Sequence, residues 1–488
     1  MKSAGIIGAG IGGLAVAIRL ARMGWKVDIY EQAGNAGGKL NELHTASFRF
    51  DKGPSLFTLP HLLDELLDED LRIPYRKLDL VTRYFYEDGS VINAYADPQR
   101  FAEEVGAKTS DSGKSVLRYL KKAGFIYRVT APIFIFSSFH RLSKLISLPN
   151  IWRALQLPRI QALCKLHRKN AASFSDPRLV QLFDRFATYN GSNPFEAPAT
   201  LQVIAHLEHN LGAYFPDRGM YAIAVALQKQ AERLEVEFHF STPVQKVLAG
   251  FDGPKTLMIG GQQHDFDLVV SDVDVHYFYD KLLMDAGRFG ELKKQEPSSS
   301  AMIFYWGMKR EYHELDLHNI FFSENYAHEF ECLFRHKTIS DDPTVYVYVS
   351  SKHNPDDAPA KMENWFVMVN APIDSGQNWK DLLLKTKKRI IRKLERVLKA
   401  PVENQIVNEN VIDPRQIENL TSSVGGAIYG SSSNSMFAAF RRHPNFRKDL
   451  PGVYFVGGSV HPGGGIPLCL ASAKIAAELI DEKEESHT

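Results

Sequence analysis

The sequence predicts an α/β protein that combines a parallel sheet, assembled from separated segments of the chain, with a second sheet. Three observations predict this class. Closely spaced glycines follow an apolar strand at the start of the chain, the run 267–271 is typical of a buried parallel strand, and a further strand ends in glycines at 452–458. We therefore expect the chain to leave the parallel sheet for a long excursion and to return to it near its end.

The first element is a strand, a turn and a helix with glycines at Gly8, Gly10 and Gly13. Gly8 permits a tight turn, Gly10 lets the backbone approach a pyrophosphate, and Gly13 allows the helix to pack on the strand. A second strand follows the helix and ends at Glu31, whose carboxylate suits ribose hydroxyls. The unit predicts a dinucleotide site, and the acidic residue argues against the 2′-phosphate of NADP.

The middle of the chain supplies the patterns of further strands and a helix. Residues 237–240 and 243–247 are predicted to pair with each other as strands, and residues 379–398 to form a lysine-rich amphipathic helix. Strands of the second sheet are predicted at 73–95, 345–350 and 365–370. Glycine-rich residues 34–39 and the segment 50–55 are expected to face a ligand with their backbone.

The last glycine-rich element has the same order of parts as the first, namely a strand, glycines and a helix. A strand at Val453–Val456 ends at Gly457 and Gly458, and a helix starts near Pro467 and runs to Ile480. The positive end of that helix suits the anion that develops on a reduced isoalloxazine ring. One site for the adenine and pyrophosphate and a distant helix end for the ring describe FAD better than NAD.

Composition narrows the class of protein further. The 488 residues are 44% hydrophobic, enough for two or three domains, and the net charge of +1 provides no global field for nucleic acid. The three cysteines predict neither a disulfide scaffold nor a metal site. The first strand begins close to Met1, which leaves no room for a signal peptide and predicts a cytoplasmic protein, and no apolar run is long enough to span a bilayer.

Seven motifs, in order along the chain, resemble the bacterial phytoene-desaturase-type carotenoid oxidoreductases. The segment Gly53–Thr58 is most similar to the branch that 3,4-desaturates 1-hydroxycarotenoids. The motifs are Gly8–Gly13, Glu31, Gly37–Lys39, Asp51–Ser55, Tyr214–Met220, Gly425–Gly430 and His461–Pro467.

The resemblance implies three structural parts. A doubly wound FAD-binding domain is expected from discontinuous segments at 1–72, 215–285 and 410–488. A mixed-sheet substrate domain is expected at 73–110, 176–214 and 286–409. The remaining segment, 111–175, is expected to be a helical, membrane-contacting subdomain.

The resemblance also implies a noncovalent FAD and a set of residues that bind it. Covalent flavin and amine oxidation are disfavoured, because Ser459 stands where amine oxidases carry an acidic residue and Cys469 follows the motif inside the last helix. Arg218 replaces an expected glycine, which leaves the role of its segment open. The implied cofactor residues are Gly8, Gly10, Ile11, Gly12, Gly13, Glu31, Gln32, Gly38, Lys39, Gly53, Pro54, Ser55, Val244, Gly457, Gly458, Gly465, Ile466, Pro467 and Leu468.

A basic and aromatic stretch lies between Asp111 and Asp176. Twelve lysines and arginines and no acidic residue stand between them, interleaved with residues such as Phe136, Leu142 and Trp152. This mixture is typical of a segment at a bilayer interface and predicts peripheral attachment to the inner face of the cytoplasmic membrane. The alternative is a helical subdomain with a buried apolar face. No recognised motif supports nucleic acid as a partner.

The resemblance implies an enzyme that removes two hydrogens from a carotenoid, with hydride transfer to the flavin. Such a site works by positioning and water exclusion, so the sequence identifies no catalytic acid or base. His206 and His209 share a predicted helix face and could act as a base or bind a hydroxyl, or be structural. Alternatives are a phytoene or other carotene desaturase, a flavin-dependent carotene isomerase or saturase, and a non-redox prenyl-binding escort protein.

Overall fold

A computed structural model describes residues 1–45, 47–138, 140, 156, 160, 163–250 and 253–485. Its first sheet has five parallel strands, and Ser3–Ile7 lies at the centre, beside the strand Leu268–Ser271. The predicted return of the chain is therefore confirmed. In spatial order the strands are Val453–Phe455, Leu268–Ser271, Ser3–Ile7, Lys26–Tyr30 and Glu237–His239.

Helices pack on this sheet and position its ligand-facing edge. The helix Ile11–Arg22 buries most of its length, including Leu14, because small and apolar residues cover nearly all of its surface. It packs against the helices Ala222–Arg233 and Ile466–Glu485. The first and last glycine-rich elements consequently end at the same edge of the sheet.

The second sheet has seven strands and is mixed, since His318–Phe321 runs parallel to Leu80–Phe85 and the other neighbours are antiparallel. Side chains alternate between its two faces. Phe304 and Trp306 pack beneath the helix Trp379–Leu398 in one core cluster, whereas the intervening Tyr305 belongs to the other. In spatial order the strands are Ile406–Ile412, Ser300–Met308, Glu363–Ala371, Val345–Tyr348, His318–Phe321, Leu80–Phe85 and Val91–Tyr95.

One predicted pairing is wrong, and so is the sheet assignment of the first part of the segment 73–95, whereas Leu80–Phe85 and Val91–Tyr95 do join the second sheet as predicted. Glu237–His239 does not pair with Val244–Ala249, since it adds to the edge of the parallel sheet beside Lys26–Tyr30. Val244–Ala249 pairs instead with Lys255–Ile259. The exposed edge of a strand that is distant in the sequence competes with pairing between neighbours, and Glu237–His239 pairs with such an edge. Tyr75–Lys77 likewise pairs with Tyr214–Pro216 in a small sheet of its own. The remaining strands are Asn41–Thr45, Phe48–Lys52 and Gln262–Phe266.

The predicted helix at 379–398 is confirmed with the same bounds, and the terminal helix extends beyond Ile480 to Glu485. Asn378 caps the first of these by accepting a hydrogen bond from the Asp381 backbone. The other α-helices within the described ranges are His61–Asp64, Pro98–Lys108, Gly113–Phe134, Leu166–Ala171, Pro177–Asp184, Val203–Ala205, Val275–Tyr277, Ala286–Leu292, Tyr326–Glu331, Pro414–Thr421 and Ala438–Arg441.

The basic and aromatic stretch is only partly within the described residues. Its first part is the helix Gly113–Phe134, in which Ile126 and Ile133 are buried inside the protein. That part fits the alternative of a buried apolar face, whereas Leu142 and Trp152 lie outside the described residues. Across the described ranges, none of the helices is both long enough and apolar enough to cross a bilayer.

Candidate cofactor and substrate site

One cavity of about 1050 Å³ runs from the carboxyl ends of the parallel strands to a face of the seven-stranded sheet. All but two of the predicted cofactor residues line it, the exceptions being Gly13 and Gly457. Those that line it are Gly8, Gly10, Ile11, Gly12, Glu31, Gln32, Gly38, Lys39, Gly53, Pro54, Ser55, Val244, Gly458, Gly465, Ile466, Pro467 and Leu468.

Gly13 and Gly457 do not line the cavity but allow the segments that form it to pack closely. A β-carbon on Gly13 would overlap the carbonyl oxygen of Gly8, so only glycine lets the helix Ile11–Arg22 approach the strand so closely. Gly457 has a φ of +95°, and a β-carbon there would overlap the carboxylate of Asp272. Both glycines are needed for packing rather than for direct contact with a ligand.

Glu31, the predicted ribose contact, lies at the cavity with its carboxylate held by two backbone groups. Its Oε2 accepts a hydrogen bond from the Ala9 backbone at 2.7 Å, and its Oε1 accepts one from the Ala33 backbone at 2.8 Å. Each carboxylate oxygen keeps a further lone pair, and the side chain lines the cavity. The two backbone bonds fix the carboxylate in an orientation in which ribose hydroxyls could donate to it.

Asp272 contributes to the glycine-rich turn in a way that the sequence did not reveal. Two acidic residues, Asp272 and Asp274, follow the buried strand Leu268–Ser271, and Asp274 caps a helix by accepting a hydrogen bond from the His276 backbone. Asp272 instead is half-buried at the cavity surface against Gly10 and Gly12, with its carboxylate bound by backbone N–H groups of Gly10 and Gly13. Burial raises its pKa to about 7. The only signal in the sequence was its position after a buried strand.

A further part of the cofactor region is built around Lys39. Its ammonium donates to the carbonyl oxygens of Ile428 at 2.8 Å and Ala427 at 3.3 Å, and burial lowers its pKa. These bonds tie the 34–39 loop to the C-terminal part of the chain. Lys39 therefore lines the cavity while it holds two distant segments of the chain together.

The C-terminal helix begins at Ile466, and Pro467 and Leu468 line the cavity at its positive end. The Arg442 guanidinium, which sequence reasoning missed, lies nearby and donates to the carbonyl oxygens of Tyr429 and Gly458, each at 3.3 Å. Cys469 also lines the cavity, and burial raises the pKa of its thiol to about 12. A protonated thiol is a poor nucleophile, which agrees with the prediction of a noncovalent flavin.

The histidine pair proposed from the sequence is not part of the cavity. His209 is buried, its Nδ1 lies 3.0 Å from the Tyr95 carbonyl oxygen, and burial lowers its pKa to about 4. Neither His206 nor His209 lines the cavity, whereas Glu208, which stands between them, does. The residues His206–Leu211 form a π-helix, so a face expected from α-helical spacing is not the face that results.

The residues present fit FAD. Gly10 and Gly12 have no side chain to block a pyrophosphate at the start of the helix Ile11–Arg22, Glu31 suits the ribose, and a second helix end lies at Ile466 for the ring. The cavity joins these three places without interruption. A single extended cofactor is thereby accommodated.

Comparisons with known proteins agree with this fit. A family model described as flavin containing amine oxidoreductase matches residues 11–481. The chain is 45% identical over 484 residues to the 1-hydroxycarotenoid 3,4-desaturase of Flavobacterium sp. (strain P99-3), covering 98% of this chain and 99% of that protein. It is 30% identical over 499 residues to the 4,4′-diapolycopene oxygenase of Methylomonas sp., covering 97% of each.

Solved structures share the fold at low sequence identity. A wild-type putrescine oxidase bound to putrescine superimposes with a TM-score of 0.63 at 14% identity, covering 99% of each chain. Cyclohexylamine oxidase from Brevibacterium oxydans IH-35A gives a TM-score of 0.62 at 14% identity, also covering 99% of each chain. The predicted α/β fold, with its FAD-binding domain and mixed sheet, is confirmed. The chain belongs to the family of flavin-containing amine oxidoreductases, uses FAD, and resembles the carotenoid-modifying proteins within that family, as its motifs predicted.

Proposed function

We propose that the protein is an FAD-dependent desaturase that introduces a double bond between carbons 3 and 4 of a 1-hydroxycarotenoid. The relative from Flavobacterium, with 45% identity over nearly the full length of both chains, carries that name. The motif at Gly53–Thr58 favours the same branch. The enzyme would thus act on a long polyene rather than on an amine.

The observation that carries this proposal is the continuity of the cavity. From the glycine-rich turn it extends along an apolar wall of the seven-stranded sheet, where a conjugated hydrocarbon could lie. Successive strands contribute alternate residues to that wall, namely Ile303, Tyr305, Phe366, Met368 and Ile412. A rigid polyene placed there would reach the C-terminal helix end from the side opposite the nucleotide.

FAD, when bound, supplies an acceptor for the hydride that leaves one of the two carbons, while a proton leaves the other. The residues of this chain bind and orient the reactants. Glu31 and the glycine-rich turn would hold the ADP part, and the sheet wall would hold the polyene and exclude water from it. The conjugated chain itself spreads the positive charge that develops, so an apolar wall suffices for much of the site.

We further propose that the substrate enters from a membrane surface. The short helix Ala438–Arg441 lies at the edge of the cavity, and Phe437 and Phe440 are 55% and 54% exposed. Phe440 lines the cavity and contacts the ring of Phe134 edge to face, at 5.4 Å between centroids. Exposed aromatic side chains beside an apolar cavity are suited to insertion among lipids. The inner face of the cytoplasmic membrane is the proposed location.

An anaerobic, single-turnover reaction tests the function. FAD-loaded protein, a 1-hydroxycarotenoid and lipid vesicles are mixed with the cofactor as the sole oxidant. We expect the product to lose two hydrogen atoms, its chromophore to lengthen by one double bond, and the visible flavin band to bleach in equal amount. Phytoene serves as the parallel substrate.

Other outcomes would overturn the proposal in distinct ways. Conversion of phytoene alone would indicate a phytoene desaturase. An added oxygen atom, seen only with dioxygen, would indicate the activity named for the Methylomonas relative. An unchanged mass would indicate an isomerase, and a gain of hydrogen with reduced flavin a saturase. A colourless protein that still binds the carotenoid would indicate an escort protein.

A further inference from the structure

Away from the cofactor region, a group of polar side chains lines the cavity where the helical segment 185–211 meets the seven-stranded sheet. Its side chains come from three separate parts of the chain and are brought together only by folding. We call this group the polar wall; its residues are Arg185, Tyr189, Glu208, His318, Tyr326 and Tyr346.

Three polar atoms of this wall have no hydrogen-bond partner among the described residues. They are Oε2 of Glu208, Nε2 of His318 and the hydroxyl of Tyr326, on side chains that are 1%, 3% and 7% exposed. Buried polar groups are normally paired, because leaving one unpaired costs about 1–3 kcal/mol. Three such atoms on side chains that line one cavity indicate that a bound molecule supplies the missing partner.

Neighbouring contacts hold the unpaired atoms in place. Tyr189 donates its hydroxyl to Oε1 of Glu208, and Oε2 of Glu208 lies 4.0 Å from Nε2 of His209, which is too far for a hydrogen bond. Nδ1 of His318 lies 2.8 Å from the Tyr346 hydroxyl, and that hydroxyl lies 2.6 Å from Oγ of Ser55. Since Ser55 belongs to a segment that we assign to cofactor binding, the polar wall is connected directly to that part of the cavity.

The charges of the wall favour a neutral ligand. Arg185 donates to the Tyr84 hydroxyl at 3.0 Å and lies over the ring of Tyr189 at 5.1 Å, where its positive charge opposes the burial that raises the pKa of Glu208. Burial lowers the pKa of His318 to about 3, so its ring is neutral. One carboxyl group and one guanidinium balance each other, so an added ammonium or carboxylate would be unmatched. A hydroxyl, which both donates and accepts, satisfies the wall without adding charge.

We propose that the polar wall binds the hydroxyl at carbon 1 of the carotenoid, with Glu208 and His318 as its hydrogen-bond partners. This inference rests on the proposed function. Because carbon 1 is two bonds from carbon 3, anchoring the hydroxyl fixes the position of the bond to be oxidised. A hydrocarbon carotene leaves the wall unpaired, so the wall determines specificity for the hydroxylated end.

The test measures binding of two ligands with the same polyene, a 1-hydroxycarotenoid and its hydrocarbon counterpart, to FAD-loaded protein by quenching of tryptophan fluorescence. The wild type should bind the hydroxylated ligand at least about tenfold more tightly, since a site built for a hydroxyl rejects analogues that lack it. Glu208→Leu and, separately, His318→Leu should reduce this preference to near unity by weakening only the hydroxylated ligand. Glu208→Gln, which keeps an acceptor oxygen, should retain most of it.

Gln202→Leu is the matched control. Gln202 is also buried, its amide atoms also have no partner among the described residues, and it stands one turn and a half before Glu208 without lining the cavity. Its substitution should leave the preference unchanged. Thermal unfolding of every variant shows whether it is folded. If either Glu208→Leu or His318→Leu does not fold, the other still tests the inference.

Equal affinity of the wild type for both ligands would overturn the inference. So would an equal loss of affinity for both ligands in folded Glu208→Leu and His318→Leu, which would indicate a purely structural role. A preference in binding without any desaturation would keep the polar wall and overturn the proposed function. Desaturation of both ligands, bound with equal affinity, would keep desaturation as the function and overturn the role of the polar wall.

Discussion

The carboxylate of Asp272 lies directly against Gly10, so that a β-carbon at position 10 would overlap Oδ2 of Asp272. The two residues follow different, adjacent strands of the parallel sheet, and together they define the place where a pyrophosphate would approach the helix Ile11–Arg22. A half-buried carboxyl group in contact with a glycine at an anion site therefore affects FAD binding both sterically and electrostatically.

The steric demand is tested by Gly10→Ala. The added methyl group would displace Asp272 and narrow the approach to the helix end, so we expect FAD affinity to fall by about 100-fold, and Gly10→Trp to give a colourless protein. The measurement is the ratio of flavin to protein after gel filtration, together with FAD titration. Gly290→Ala is the control, because a β-carbon at position 290 meets no atom within 4 Å. Retention of yellow colour in Gly10→Trp would contradict the assigned site.

The electrostatic demand predicts a dependence on pH. Burial raises the pKa of Asp272 to about 7, the negative charge of Glu31 adds to this shift, and Lys39 and the N–H groups of Gly10 and Gly13 oppose it. Ionised Asp272 repels a pyrophosphate, so FAD affinity should fall by up to about tenfold per pH unit above that value. Asp272→Asn should abolish this dependence. The measurement is FAD titration from about pH 5.5 to about pH 8.5.

The same carboxyl group affects the stability of the protein without FAD. Because its pKa in the folded state is higher than in the unfolded state, folding becomes less favourable as pH rises from about 4 through about 7. Asp272→Asn should therefore raise Tm near pH 8.5 and change it little near pH 4. A stabilisation that is equal at both pH values would count against a half-buried, titrating Asp272.

Glu31 offers a test of the ribose contact. Glu31→Ala removes the predicted acceptor and also leaves the backbone N–H groups of Ala9 and Ala33 unpaired. We expect FAD affinity to fall by about 10- to 100-fold, and Glu31→Gln to have a smaller effect because one amide oxygen still accepts. Isothermal titration with FAD gives the result. Substituting the exposed Glu69 by Ala serves as the control, and an equal effect there would show that the loss is not local.

Membrane entry predicts a role for Phe437 and Phe440. Replacing both by Ser removes apolar area that lipid would cover, so binding to vesicles with anionic lipids should fall by about tenfold or more. Both side chains are exposed, so FAD content and Tm should stay close to those of the wild type. Co-sedimentation measures the binding. Leu248→Ser removes a partly exposed apolar side chain elsewhere, and equal loss in that variant would refute a specific docking edge.

Local constraints explain which features were predictable from the sequence. The glycine-rich turn depends on φ angles and close approaches that few residues other than glycine allow, so Gly8 identifies its own conformation at +97°. The helix at 379–398 follows from a sustained apolar period. The prediction of pairing was wrong at Glu237–His239. A short strand pairs with the most favourable open edge, which in this fold belongs to the distant strand Lys26–Tyr30.

The sequence alone determined the cofactor class, the parallel sheet and the family, because each depends on local motifs in which a few adjacent residues fix the backbone conformation. Only the tertiary structure decided which side chains face the substrate. Glu208 stands in the sequence between two more conspicuous histidines, yet a π-helical turn directs Glu208 to the cavity and buries His209 elsewhere. Asp272 and His318 acquire their partners from segments that are distant in the sequence, and no local pattern carries information about contacts that arise only when those segments come together.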